Sequence, residues 1–226
     1  MTKTLLFLLT ICLTTQAYSQ VINFQLGGSL SNLNWSVADI PGRASLVNVD
    51  ESVYEEYIIG PSVFFGLDYL NHKYYNLSSN IGYIQKGGRY TEDRILYILD
   101  EKAQLHYLSF NTCVDVKLPL KESTHAFLRF GPRIDFLAST KGAIITNLSG
   151  PNTGKIKDLM YGLMVGAGVK HDLNKLQIGL RFDYYLNLTN IAQYTYSRKY
   201  AVLGYGEGTL QDNSFVFSVV LGYRLR

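Results

Sequence analysis

Charged residues recur on one parity of several alternating segments: Asp115, Lys117, Arg129, Arg133, Asp135, Lys170, Arg181, Asp183 and Arg224. Side chains of mixed sign on one face can do one of two things. Around an open passage they form a constriction that selects solutes by charge. In a closed space they must pair, because an unpartnered charge away from water is costly. Pairing is the expectation here. The wall these segments build is an eight-stranded barrel, whose interior is only just wide enough for side chains to fill.

Other chemistry-bearing residues do not assemble. Hydrolysis of a lipid would need a serine, a histidine and a carboxylate near one rim. Ser123 and His125 are close in sequence but fall at a short turn, and His106 takes the opposite parity from the charges. His72 and His171 fall in or beside turns, and the histidines match no HExxH-type spacing. Gly150-Pro151-Asn152-Thr153-Gly154-Lys155 has the wrong glycine spacing for a phosphate loop, with Ile156 where Ser or Thr is required. Gly204-Tyr205-Gly206-Glu207-Gly208 lacks the strand-turn-helix setting of a dinucleotide site. No catalytic residue, metal site or cofactor is therefore expected. A second group has recognition chemistry: Arg89, Tyr90, Arg94 and Tyr97 in one long connection, and Tyr194, Tyr196, Arg198, Lys199 and Tyr200 in another. Exposed tyrosine and arginine suit docking surfaces for protein, glycan or lipopolysaccharide. They equally suit an aromatic girdle with phosphate-pairing cations.

The elements that must position these groups are alternating segments: Val21–Trp35, Tyr57–Tyr69, Tyr74–Lys86, Gln104–Leu118, His125–Ser139, Leu159–Lys170, Lys175–Asn187 and Ser214–Leu225. In Leu159–Val169, Leu159, Tyr161, Leu163, Val165, Ala167 and Val169 share one face, and Met160, Gly162, Met164, Gly166 and Gly168 the other. One face is continuously apolar while the other mixes glycine with charge, which suits lipid outside and a polar lumen. Each segment meets the roughly nine to eleven residues that a tilted membrane strand needs. Connections alternate between short (Leu70–Lys73, Pro119–Thr124, His171–Asn174) and long (Val37–Glu56, Gly87–Ala103, Thr140–Asp158, Leu188–Asn213). The pattern predicts an all-β, eight-stranded antiparallel up-and-down transmembrane barrel with short periplasmic turns and long extracellular loops. An even strand count puts both termini on the periplasmic side and closes the sheet edges. In-strand glycines are expected to make room for long side chains from across the lumen, and Pro61 and Pro132 to mark bulges.

The ends agree with export. Residues 1–19 read as a signal peptide, with Lys3, an apolar Leu5–Leu13 and a small-x-small site at Ala17-Tyr18-Ser19, leaving residues 20–226 as the barrel domain. No segment has the eighteen or more apolar residues of a membrane helix. Once Cys12 leaves with the signal, Cys113 is the remaining cysteine, so no internal disulfide is expected. A net charge of +3 is too mild to indicate nucleic acid.

Several motifs in order resemble a known family. They are Ile81-Gly82-Tyr83-Ile84-Gln85-Lys86-Gly87-Gly88, Tyr107-Leu108-Ser109-Phe110, Phe130-Gly131-Pro132-Arg133, and Gly166-Ala167-Gly168-Val169 followed by Leu188-Thr189-Asn190-Ile191. Together these resemble the PorT-like outer-membrane β-barrel proteins of Bacteroidetes. The chain departs from that pattern at Asn111, where the family commonly has proline, and in ending on Leu225-Arg226 without an aromatic. The resemblance implies an integral outer-membrane protein. The filled lumen and the lack of a catalytic constellation make a non-enzymatic role, structural or interaction-mediating through its loops, the expectation. The apolar wall and the loop cations make outer-membrane lipid and lipopolysaccharide the expected partners, and Phe215, Phe217, Val219, Leu221 and Tyr223 on one face of the last strand resemble a signal to the barrel-assembly machinery during biogenesis. A few members serve type IX secretion, which makes an accessory role with secretion-system proteins the alternative. A narrow solute channel is the further one.

Overall fold

The computed structural model describes residues 20–38, 55–94, 97–142, 156–197 and 205–225. The expected signal peptide lies outside them. The described residues form β1 (Val21–Ala38), β2 (Ile58–Asn71), β3 (Tyr75–Arg94), β4 (Tyr97–Lys121), β5 (Thr124–Lys141), β6 (Leu159–Leu173), β7 (Leu176–Asn187), β8 (Ala192–Ser197) and β9 (Tyr205–Arg224), and no helix.

Side-chain parity decides the wall. In β7, Gln177, Gly179, Arg181, Asp183 and Tyr185 are buried, while Leu176, Ile178, Leu180, Phe182 and Leu186 are exposed. β5 repeats this, with Arg129, Arg133 and Asp135 inside and Leu128, Phe130 and Phe136 outside. Apolar residues outward and charges inward invert the arrangement of a water-soluble domain, and suit a wall bathed in lipid.

Neighbouring strands pair antiparallel in the order β1-β2-β3-β4-β5-β6-β7-β9, and β1 closes on β9 from Val21↔Arg224 to Ala38↔Glu207. β8 is not a ninth stave. β9 pairs with β7 along Ser214–Tyr223 and with β8 along Tyr205–Leu210, so β7 and β8 are two pieces of one stave. At the break, the Leu188 amide donates to the Tyr161 carbonyl (2.9 Å) and the Ile191 amide to that of Leu210 (2.7 Å). The barrel is therefore a closed eight-stranded one. β1 begins and β9 ends at the end of the barrel that carries the short turns.

Those turns are tighter than the sequence suggested. Asn174-Lys175 alone joins β6 to β7, with Asn174 at φ 55°, a left-handed backbone that asparagine tolerates well. At the other end, Gly87–Ala103 is largely not a loop. β3 and β4 stay in register from Gly87↔Gln104 to Arg94↔Tyr97, well past the last β2–β3 pair at Ser62↔Ile84. Extending the ladder satisfies the backbone groups, and β-formers such as Tyr90, Thr91, Tyr97 and Ile98 lie along it. Leu188–Asn213 likewise contains β8 and the outer part of β9.

Two further expectations are corrected. The register does not shift at Pro61 or Pro132. Pro61 lies one residue beyond the β2–β3 ladder, and the β4–β5 pairs Asn111↔Arg133 and Val114↔Phe130 flank Pro132 in constant register. The shifts fall instead at Asp68/Leu70, His106/Tyr107 and Pro119/Lys121. The lumen glycines take side chains from the strand beside them, not from across the barrel. A Cβ on Gly168 would meet the ring of its directly paired neighbour Phe127, and one on Gly162 would sit 2.8 Å from Nη2 of its neighbour Arg133.

Candidate functional site

The interior is filled by charges that the strands bring together from several sides. Arg129 on β5 faces Asp115 on the neighbouring β4, and its Nε and Nη2 each take one carboxylate oxygen, Nη2 at 2.6 Å from Oδ2. The Asn76 side-chain amide donates to the same carboxylate at 3.2 Å. Lys170 on β6 reaches Asp68 on β2 at 3.1 Å. With three staves between them on either side of the eight-stave ring, that pair spans the full lumen. Lys86 on β3 lies 2.9 Å from Asp135 on β5 and 3.0 Å from Asp212 on β9, with all three side chains buried. Arg181 and Asp183, two apart on β7, touch at 2.6 Å, and Arg133 Nε lies 3.4 Å from Asp135. Aromatic faces complete the setting: Tyr185 lies under the Arg133 guanidinium (4.2 Å) and Lys86 (5.4 Å), and Tyr107 under Lys86 (5.2 Å).

Neutral groups knit the same space. The Asn23 amide donates to Asp68 at 3.0 Å, Gln25 to Asn23 at 2.6 Å and to Asn80 at 2.7 Å, and Asn80 to Asn111 at 2.8 Å. Toward the loop end the filling becomes apolar, with Leu33, Ile84, Leu105, Ile191 and Leu210 buried together with Met160 and Met164. The interior is thus mixed rather than uniformly polar.

Two of the singled-out charges sit apart from this network, at the turn end. Lys117 is half-buried and donates to the Asn71 side-chain oxygen and the His72 carbonyl. Arg224 is 3.2 Å from Asp172. Lys86, Asp68 and Asp212, which the sequence reading did not single out, are members of the buried network. Asp68 shares parity with Phe64 and Gly66, and Asp212 with Ser214 and Val216. Extending the last strand candidate by two residues would have placed Asp212 in the lumen.

Of the recognition candidates, Arg89, Tyr90, Arg94 and Tyr97 lie on the β3–β4 hairpin beyond the wall, and Tyr194 and Tyr196 on β8. Arg198, Lys199 and Tyr200 lie outside the described residues. The Arg89 guanidinium takes both oxygens of Asp100, each at 2.8 Å, and its Nε is 4.0 Å from Glu56. Its hydrogen bond holds the Asp100 carboxyl below the usual carboxylate range, and Asp100 in turn raises the guanidinium's pKa. Ser123 sits in the β4–β5 turn beside His125, and His106 lies on the outer face of β4, where its Nδ1 is 2.6 Å from the Tyr83 hydroxyl and the rings stack.

The outer membrane protein beta-barrel domain family matches residues 17–193. Among solved structures, the crystal structure of the outer membrane protein OprG from Pseudomonas aeruginosa is similar at 11% identity, covering 92% of this chain and 96% of that one, with a TM-score of 0.59. The solid-state NMR structure of outer membrane protein AlkL in DMPC lipid bilayers is similar at 13% identity, covering 92% and 90%, with a TM-score of 0.52. At these identities the likeness is one of fold. No curated protein matches the chain.

Proposed function

Because this chain belongs to the outer membrane protein β-barrel family, we propose that it works as a non-enzymatic barrel, structural or interaction-mediating, through surfaces at its loop end. Short turns of such barrels face the periplasm and longer connections face outward, which puts the β3–β4 hairpin on the cell surface. The observation that carries this reading is the position of Lys86. Its ammonium ties β3 to Asp135 on β5 and to Asp212 on β9, which closes the interior with a paired charge where a solute would have to pass. A closed lumen leaves the outer surface as the place of work. The Arg89–Asp100 pair there stiffens a projecting hairpin that carries tyrosine and arginine.

A type IX secretion accessory is the second reading. It rests on the PorT-like motifs Ile81–Gly88 and Phe130–Arg133. A chromosomal deletion separates the two. Selective loss of type IX cargo from the surface and medium, without membrane leakage, would favour the accessory; unchanged export favours a general surface barrel. Planar-bilayer recordings of the purified barrel test the closed lumen, and a steady unitary conductance would overturn it in favour of a solute channel.

A further inference from the structure

The β2–β3 turn, the β4–β5 turn and the end of β9 enclose a cavity of about 570 Å³ at the turn end of the lumen. Lys73, Lys117, Lys121 and Arg224 line it, against the carboxylates Glu122 and Asp172. Asp172 is already engaged, by Arg224 at 3.2 Å and by the Gln177 amide at 2.8 Å. Lys117 differs from the lumen cations Lys86, Arg129, Lys170 and Arg181, each of which has a carboxylate partner. Its ammonium donates only to neutral oxygens, those of Asn71 and the His72 carbonyl, and among the described residues no carboxylate pairs with it. Two more nitrogens of the lining, His125 Nε2 and Arg224 Nε, are buried with no partner among the described residues. The cavity therefore gathers an excess of positive charge, an unpartnered Arg224 N–H and an unpartnered imidazole nitrogen between low-dielectric walls, which focuses the field on an entering anion.

We propose that this cavity binds a compact oxyanion, phosphate or carboxylate, that enters from the periplasmic side. Lys117 is its principal ligand, and Lys121 adds attraction at the mouth. The site is independent of the outer-surface role, since it opens at the opposite end of the barrel.

The test uses the full barrel in zwitterionic nanodiscs, titrated with inorganic phosphate, then acetate, with chloride at matched ionic strength as control, and read by amide NMR shifts. The expected result is saturable shifts confined to Lys117, His125 and Arg224 and their neighbours. Lys117→Gln should weaken them roughly tenfold or more, the usual size of a lost charge-assisted contact. Nanodiscs containing phosphatidylglycerol, without added anion, identify the source. The same shifts there mean that a lipid headgroup supplies the oxyanion, and their absence means a soluble one. Shifts no larger than with chloride, or equal phosphate affinity in K117Q, would overturn the proposal. Should K117Q not fold, the exposed Lys121→Gln decides: undiminished affinity in that variant overturns it.

Discussion

Arg129 and Asp115 sit directly opposite one another on β5 and β4, and the guanidinium grips both carboxylate oxygens inside the barrel. Two parallel N–H bonds fix the pair in one plane, and Asn76 orients the carboxylate from β3. Removing one partner leaves the other buried and uncompensated, so Arg129→Met should cost about 3–5 kcal/mol. The Arg129→Met/Asp115→Asn double variant should recover much of that loss. Equilibrium unfolding of the barrel from lipid vesicles in urea measures both. A double variant as unstable as the single would show that the arginine acts by its volume and not by pairing.

Lys86 carries a heavier burden, because one ammonium serves Asp135 and Asp212. Lys86→Met leaves two carboxylates in contact range of the remaining network, and should destabilise at least as much as Arg129→Met. Adding Asp212→Asn should restore part of the loss. Since the residues share partners, their effects should fail to add. Additive effects in the same unfolding assay would contradict a shared site.

Gly168 gives a steric prediction. A Cβ there meets the Phe127 ring and the Leu180 carbonyl, and the carbonyl belongs to the ladder and cannot yield. Gly168→Val should cost about 1–3 kcal/mol, the usual range for overpacking. Ala167→Val, one residue away and facing outward, should be nearly neutral. Equal effects of the two would refute the inward assignment of Gly168.

The β3–β4 hairpin should loosen in acid. Asp100 has a folded pKa below its unfolded value, so its contribution is present above the ordinary carboxylate range. It is lost as pH falls through the lower folded value. Amide protection of Arg89 and Asp100 should therefore hold at neutral pH and drop below that range, while the wall strands stay protected. The pair is exposed, so the effect should be small and weaken with salt. Asp100→Asn should abolish the pH dependence, and its persistence would point to Glu56 instead.

How much was readable in advance differs from element to element. The parity of β6 and β7 was plain, because a strand with lipid on one side and packed charges on the other alternates at every residue. The hairpin beyond Gly87 was not. A ladder outside the wall has no lipid face to enforce alternation, so its residues resemble those of a loop. The bulges were misplaced for a related reason: proline is tolerated wherever its missing N–H has no partner to lose, and only the pairing of neighbouring strands shows where that is.

The sequence by itself determined the alternation along each stave and the parity of most inward-facing charges, which follow from a side-chain period of two, and its eight alternating segments set the number of staves. Which charge meets which was decided by the tertiary structure. Lys170 and Asp68 are separated by 102 positions in the chain, yet they meet across the lumen because closing the ring puts β6 opposite β2. Lys86 finds two partners, and Lys117 finds no carboxylate among the described residues, for the same reason. Barrel closure and strand register set the depth and the facing wall of each side chain, and neither is encoded in the local run of residues that carries it.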